Sequence, residues 1–131
     1  MRSVITQSVV LPAVPEELFD MYLDPAKHTA FTGSEVTIGP DPGSEFRGFD
    51  GQLSGTILVT MRPTLIVQSW RSVNFNESDL DSTLVLTFAG DPAGGRVDLV
   101  HLDVPEQDFQ GVSDGWEKYY WKPWRAYLTG R

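Results

Sequence analysis

The chain has 131 residues, a formal net charge of -8 at neutral pH, and no cysteine. That length suits one ordinary domain, spanning residues 1–131, with a sizeable core. Its acidity disfavours nucleic acid and anionic lipid as main partners, and the absence of thiols excludes disulfides, a thiolate nucleophile and thiolate metal sites.

The chain begins MRSVITQSVVLP, an apolar run broken by Thr6, Gln7 and Ser8 that does not read as a signal peptide. From Val4 to Leu11, Ile5, Gln7, Val9 and Leu11 share one parity, as in a first strand with one buried face. VPEELFDMYLDP then reads as a short helix. Pro15 suits its first position, Glu16 and Glu17 suit its positive end, and Leu18, Phe19 and Tyr22 fall on one side. PAKHTAFTG adds a further turn or two before Gly33.

Six strand signals follow, around Val36–Ile38 and in EFRGF, SGTILVTM, TLIVQSWRSV, STLVLTF and RVDLVHLDV. Their lengths and close turns predict an antiparallel meander, with GDPAGG, Gly90 to Gly95, as the clearest hairpin tip. No apolar stretch approaches the roughly 20 residues that a membrane-spanning helix needs, so no membrane insertion is expected.

After Pro105 the period changes to that of a helix. At roughly 100° per residue, Val112, Trp116, Tyr119, Tyr120, Pro123, Trp124, Ala126 and Tyr127 form one arc. Lys118, Lys122 and Arg125 lie opposite, and Trp121 falls towards this polar side, where the wheel predicts an edge or exposed position. Pro123 predicts a kink. The order therefore predicts an α+β fold in which a twisted antiparallel sheet of about seven strands wraps around a long C-terminal helix.

Two readings of the aromatic arc stay open: it is core throughout, or part of it roofs a pocket between helix and sheet. In the second reading Tyr120 and Tyr127 face the cavity while Trp116 packs beside it, and Trp116, Phe31, Phe46 and Trp70 are further candidates for its lining. Arg71 could hold a carboxylate bidentately, and His101, sharing a strand face with Val97, Leu99 and Asp103, could orient a polar head group. Their alternatives are a solvated surface arginine and a hydrogen-bonded core histidine. With His28 and His101 the only histidines and no H-E-x-x-H, no metal site is expected and no cofactor is implied. No serine sits in a G-x-S-x-G turn, so no catalytic residue is assigned.

The stretch FTGSEVTIGPDPGSEFRGFDGQLSGTILVTMRPTLIVQSWR, followed by DSTLVLTF and VPEQDFQGVSDGWEKYYW, resembles the C-terminal domain of activators of the heat-shock protein 90 ATPase. The ordered set G-x-F, G-x-L-S-G, I-V-Q-S-W-R and G-W carries the likeness. This AHSA-type family lies in the START-like (SRPBCC), birch-pollen-allergen-like superfamily, so the resemblance implies a helix-grip fold, often with a cavity between sheet and helix. The expectation is a cytoplasmic, non-catalytic domain that binds a small hydrophobic or amphipathic molecule. The alternative partner that the resemblance implies is a heat-shock protein 90 homologue. A third alternative is an enzyme acting on an aromatic or polyketide-like substrate.

Overall fold

The computed structural model describes residues 2–131. Strand β1 (Arg2–Leu11) leads into helices α1 (Pro15–Leu23) and α2 (Pro25–Thr32). Strands β2 (Val36–Thr37), β3 (Glu45–Gly48), β4 (Leu53–Met61), β5 (Leu65–Ser72), β6 (Ser82–Asp91) and β7 (Gly94–Pro105) follow. A 3₁₀ turn at Glu106–Asp108 then opens the C-terminal helix, built from α3 (Phe109–Trp116), a π turn (Glu117–Trp121) and α4 (Lys122–Gly130).

The sheet is antiparallel with strand order β1-β7-β6-β5-β4-β3-β2. It is a meander from β2 to β7, with the first strand laid against the last, and the C-terminal helix crosses its inner face. This is the helix-grip architecture. No described helix is long and apolar enough to cross a membrane.

Local chemistry explains the boundaries. Pro15 opens α1 and Pro25 opens α2, where Asp24 caps the new helix by accepting from the Lys27 backbone N–H at 2.9 Å. Gly33 ends α2 in the left-handed region at φ 77°. In β1, Ile5, Val9 and Leu11 point into the core as the parity predicts.

The same parity argument fails at the end of β7. Ser3 pairs with Val104 and Ile5 with His101, so Leu102 and Asp103 together oppose Val4. The bulge places Asp103 at φ 62° and returns Val104, rather than Asp103, to the buried face. At β4 the chain passes so close to β5 that a Cβ on Gly55 would sit 1.9 Å from the Ser69 carbonyl oxygen. Only glycine fits that crossing.

Candidate functional site

The last helix decides what faces the sheet. Val112, Trp116 and Tyr120 descend its inner face at intervals of four and are buried. At the π turn the Lys122 N–H reaches back five residues, to the Glu117 carbonyl, which inserts one extra residue into the helical repeat. From its last residue onward the buried residues are Trp121, Trp124 and Leu128. Pro123 supplies the cause: it has no N–H to give, and its ring would collide with the Tyr119 carbonyl in a regular helix.

This displacement by one residue corrects the helical wheel. Trp121, expected at the edge or outside, is 3 % exposed, and its indole N–H donates to Gln7 Oε1 at 2.7 Å. Tyr119 and Tyr127, expected in the buried arc, are 48 % and 40 % exposed. Tyr127 therefore does not face the interior between helix and sheet.

That interior is packed around two buried histidines. His28 Nδ1–H donates to the Tyr22 carbonyl at 2.6 Å, so its Nε2 must accept, and the Tyr120 hydroxyl donates to it at 2.8 Å. The Tyr22 hydroxyl donates to Gln68 Oε1. Phe31 stacks against His28 at 5.0 Å on one side and on Trp124 at 4.2 Å on the other, and fully buried Phe46 closes the cluster. Phe31 and Phe46 are thus both packed in the core.

His101 has the opposite tautomer. The Trp116 indole N–H, which can only donate, reaches His101 Nδ1 at 3.2 Å. Nε2–H then donates to Ser82 Oγ at 2.8 Å, whose own proton goes to the Trp70 carbonyl at 2.7 Å. Trp70 packs edge-on against the ring at 4.7 Å. Burial pushes the His101 pKa down to about 3 and that of His28 to about 4, the latter against the opposing effect of the Tyr22 carbonyl. Burial raises the Tyr22 and Tyr120 hydroxyls above their ordinary range. All four side chains are therefore uncharged at neutral pH, and His101 spends both nitrogens inside the core.

Arg71 lies on the outer parity of β5. Its guanidinium donates to the Asp79 and Asn76 carbonyls, each at 2.7 Å, and to the Asp81 carboxylate at 3.1 Å, tying down the loop between β5 and β6. It lies 5.6 Å over the Phe75 ring. These contacts hold Arg71 to a local loop rather than to the inner face.

Space opens at one end of the grip, where α3 and the π turn diverge from the loop after β3 and from the end of β5. The cleft measures about 460 Å³. Three of the sequence candidates, Trp70, Trp116 and Tyr120, line it, joined by Phe49 and Tyr119. Phe49 meets Tyr119 edge-on at 5.8 Å, and it stands at φ 54° beside Asp50 at φ 58° and Gly51 at φ 77°. Such a left-handed run is costly outside glycine, by about 1–2 kcal/mol per residue. It directs the Phe49 ring onto the helix.

The polar lining includes Asp50, Gln52, Ser72, Asn74 and Asp108. Two polar atoms here are buried with no hydrogen-bond partner, the Trp70 indole N–H and Asp108 Oδ2. Burial raises the Asp108 carboxyl, an effect that the Ser72 hydroxyl partly offsets. The sequence reading missed Phe49, Asp50, Tyr119 and Asp108. The Asp50-Gly51 dipeptide was the available signal for a turn there; the extended reading of EFRGF obscured it.

A second concavity, about 830 Å³, runs between β1 and the opposite side of the helix. It is an open groove of mixed charge, with Lys118 and Lys122 beside Asp114 and Glu117. Arg125 on its rim already donates to the Val10 carbonyl at 3.3 Å. The smaller cleft has the aromatic walls and unmatched polar atoms that a binding site needs.

The family model described as activator of Hsp90 ATPase homolog 1-like protein matches residues 12–129. An activator of 90 kDa heat shock protein ATPase homolog from Dictyostelium discoideum is 27 % identical over 106 residues, covering 79 % of this chain and 27 % of that protein. The human activator homolog 1 is 27 % identical over 108 residues, covering 82 % of this chain and 32 % of that protein. The chain thus spans about a third or less of these relatives. The crystal structure of an HSP90 activator from Plasmodium falciparum superposes with a TM-score of 0.76 at 24 % identity, over 92 % of this chain and 90 % of that one.

Proposed function

The chain belongs to the family of activator of Hsp90 ATPase homolog 1-like proteins, and from that premise we propose that it is a non-catalytic binding domain taking a small, largely apolar or amphipathic molecule in the cleft beneath α3. The observation that carries this reading is the meeting of five aromatic side chains with two buried, unpartnered polar atoms, the Trp70 N–H and Asp108 Oδ2. Apolar walls hold a ligand by desolvation, and unmatched polar atoms reward one that completes their hydrogen bonds. The buried histidines support a role without catalysis, since a general acid or base must reach its substrate, and neither ring is solvent-accessible. Titration with the fluorescent apolar dye N-phenyl-1-naphthylamine tests the cleft. Phe49→Ala weakens dye binding at least fivefold while Tyr127→Ala leaves it unchanged; no binding, or equal loss in both variants, rejects the assignment.

A second reading rests on the relatives. Proteins that share this domain are described as activators of the heat-shock protein 90 ATPase, which favours a heat-shock protein 90 homologue as a partner and the cytoplasm as the place of action. The readings are compatible, because a cleft at one end leaves the outer sheet free for protein contact. Adding the domain to the chaperone homologue of its own cell changes the ATPase rate in this reading. A flat response at saturating protein removes it.

A further inference from the structure

Resting on the cleft as a binding site, we propose that its ligand is an amphipathic cation: an apolar body carrying a protonated amine that pairs with Asp108. The charged groups in the lining are Asp50 and Asp108, and no lysine, arginine or histidine is among the lining residues. Asp108 Oδ2 is buried without a partner, so a donor brought by the ligand completes it, and a positively charged donor does so most strongly. The walls present the rings of Phe49, Trp70 and Trp116, whose electron-rich faces attract a cation and give nothing comparable to an anion, while the Tyr119 ring already carries Lys118 Nζ 5.1 Å from its centre.

The other end of the ligand is constrained as well. Trp70 is 5 % exposed, and its indole N–H is the second unmatched group. An indole only donates, so the ligand complements it with a neutral acceptor such as an ether, carbonyl or hydroxyl oxygen. A carboxylate in that role would sit among two acids in a molecule of net charge -8. Burial already raises the Asp108 carboxyl, with the Ser72 hydroxyl opposing the effect, and a cation placed beside it would favour the charged form. The cleft volume, about 460 Å³, accommodates a bicyclic aromatic body.

Three probes of one shape and different charge test this: 1-naphthylmethylammonium, 1-naphthylmethanol and 1-naphthylacetate. Each is titrated into the unmodified protein and followed by the Trp70 indole N–H resonance, identified by its loss in Trp70→Phe. The ammonium binds at least tenfold more tightly than the alcohol, the acetate binds most weakly, and Asp108→Asn erases the advantage of the ammonium while sparing the alcohol. Equal affinities for all three, or a preference for the acetate, with the Trp70 resonance still moving, overturn the charge assignment and leave the cleft as a site. No movement of that resonance with any probe overturns both. The ranking in the unmodified protein decides the question even if Asp108→Asn does not fold, and Asp50→Asn then provides the variant, with a smaller loss of the ammonium preference expected.

Discussion

The Trp116 indole N–H points at His101 Nδ1 from 3.2 Å, and because an indole only donates, this contact fixes the histidine as a neutral ring with its proton on Nε2. One side chain of the cleft wall therefore sets the protonation of a residue wholly inside the core. Trp116→Phe leaves Nδ1 buried without a donor and costs roughly 1–3 kcal/mol, read as a lower urea midpoint at pH 7. A midpoint unchanged from the unmodified protein would mean that the contact carries no energy.

Acid weakens the fold through both histidines. His28 and His101 hold pKa values of about 4 and about 3, below their usual 6.5, so in this range the unfolded chain binds more protons than the folded one. Stability is complete above about pH 6.5 and falls with pH by roughly 1.4 kcal/mol per unit for each histidine. The loss from His28 ends near pH 4 and that from His101 near pH 3. Urea unfolding at pH 7, 6 and 5 measures the slope, and His28→Gln halves it; an unchanged slope places the effect elsewhere.

The register of the last helix predicts opposite outcomes for two neighbouring aromatics. Trp124 is 0 % exposed and stacked on Phe31, so Trp124→Ala costs about 3–5 kcal/mol. Tyr127, on the outside, loses at most about 0.5 kcal/mol in Tyr127→Ala. Thermal or urea denaturation of the pair separates this register from an uninterrupted α-helix, which would bury both side chains and make both substitutions costly.

Gly55 provides a fourth stability test. The Cβ of an alanine there would meet the Ser69 carbonyl at 1.9 Å, and a strand backbone cannot give way as a flexible side chain can. Gly55→Ala destabilises at the upper end of roughly 1–3 kcal/mol, with β4 and β5 forced apart. Amide exchange in those two strands reports it, and protection equal to that of the unmodified protein argues against the close crossing.

Where a residue's place follows from its neighbours in sequence, the reading and the structure agree. The parity of Ile5, Val9 and Leu11, the prolines that open α1 and α2, and Gly33 at the end of α2 are all local signals, and with the later strand signals and the helical period after Pro105 they give the helix grip. The departures need information from further away. Asp103 leaves the face of His101 because a bulge counts two residues against Val4, which only the partner strand reveals. Tyr119, Trp121 and Tyr127 change sides because a proline can be accommodated by a kink or by an added residue, and GWEKYYWKPWRAYL is compatible with both. His28 matters through Tyr120, 92 residues away, a pairing that leaves no trace in local periodicity. The cleft combines these difficulties, since its walls come from the β3–β4 loop, the end of β5 and the altered helix.

The π turn also divides the labour of the last helix. Because its two halves are out of phase, the upper half presents Trp116 and Tyr119 to the cleft while Trp124 and Leu128 in the lower half are seated in the core. Trp121, brought inward by the extra residue, stacks on Trp116 above and on Trp124 below, so the same helix lines the cleft and anchors the sheet through one continuous row of indoles.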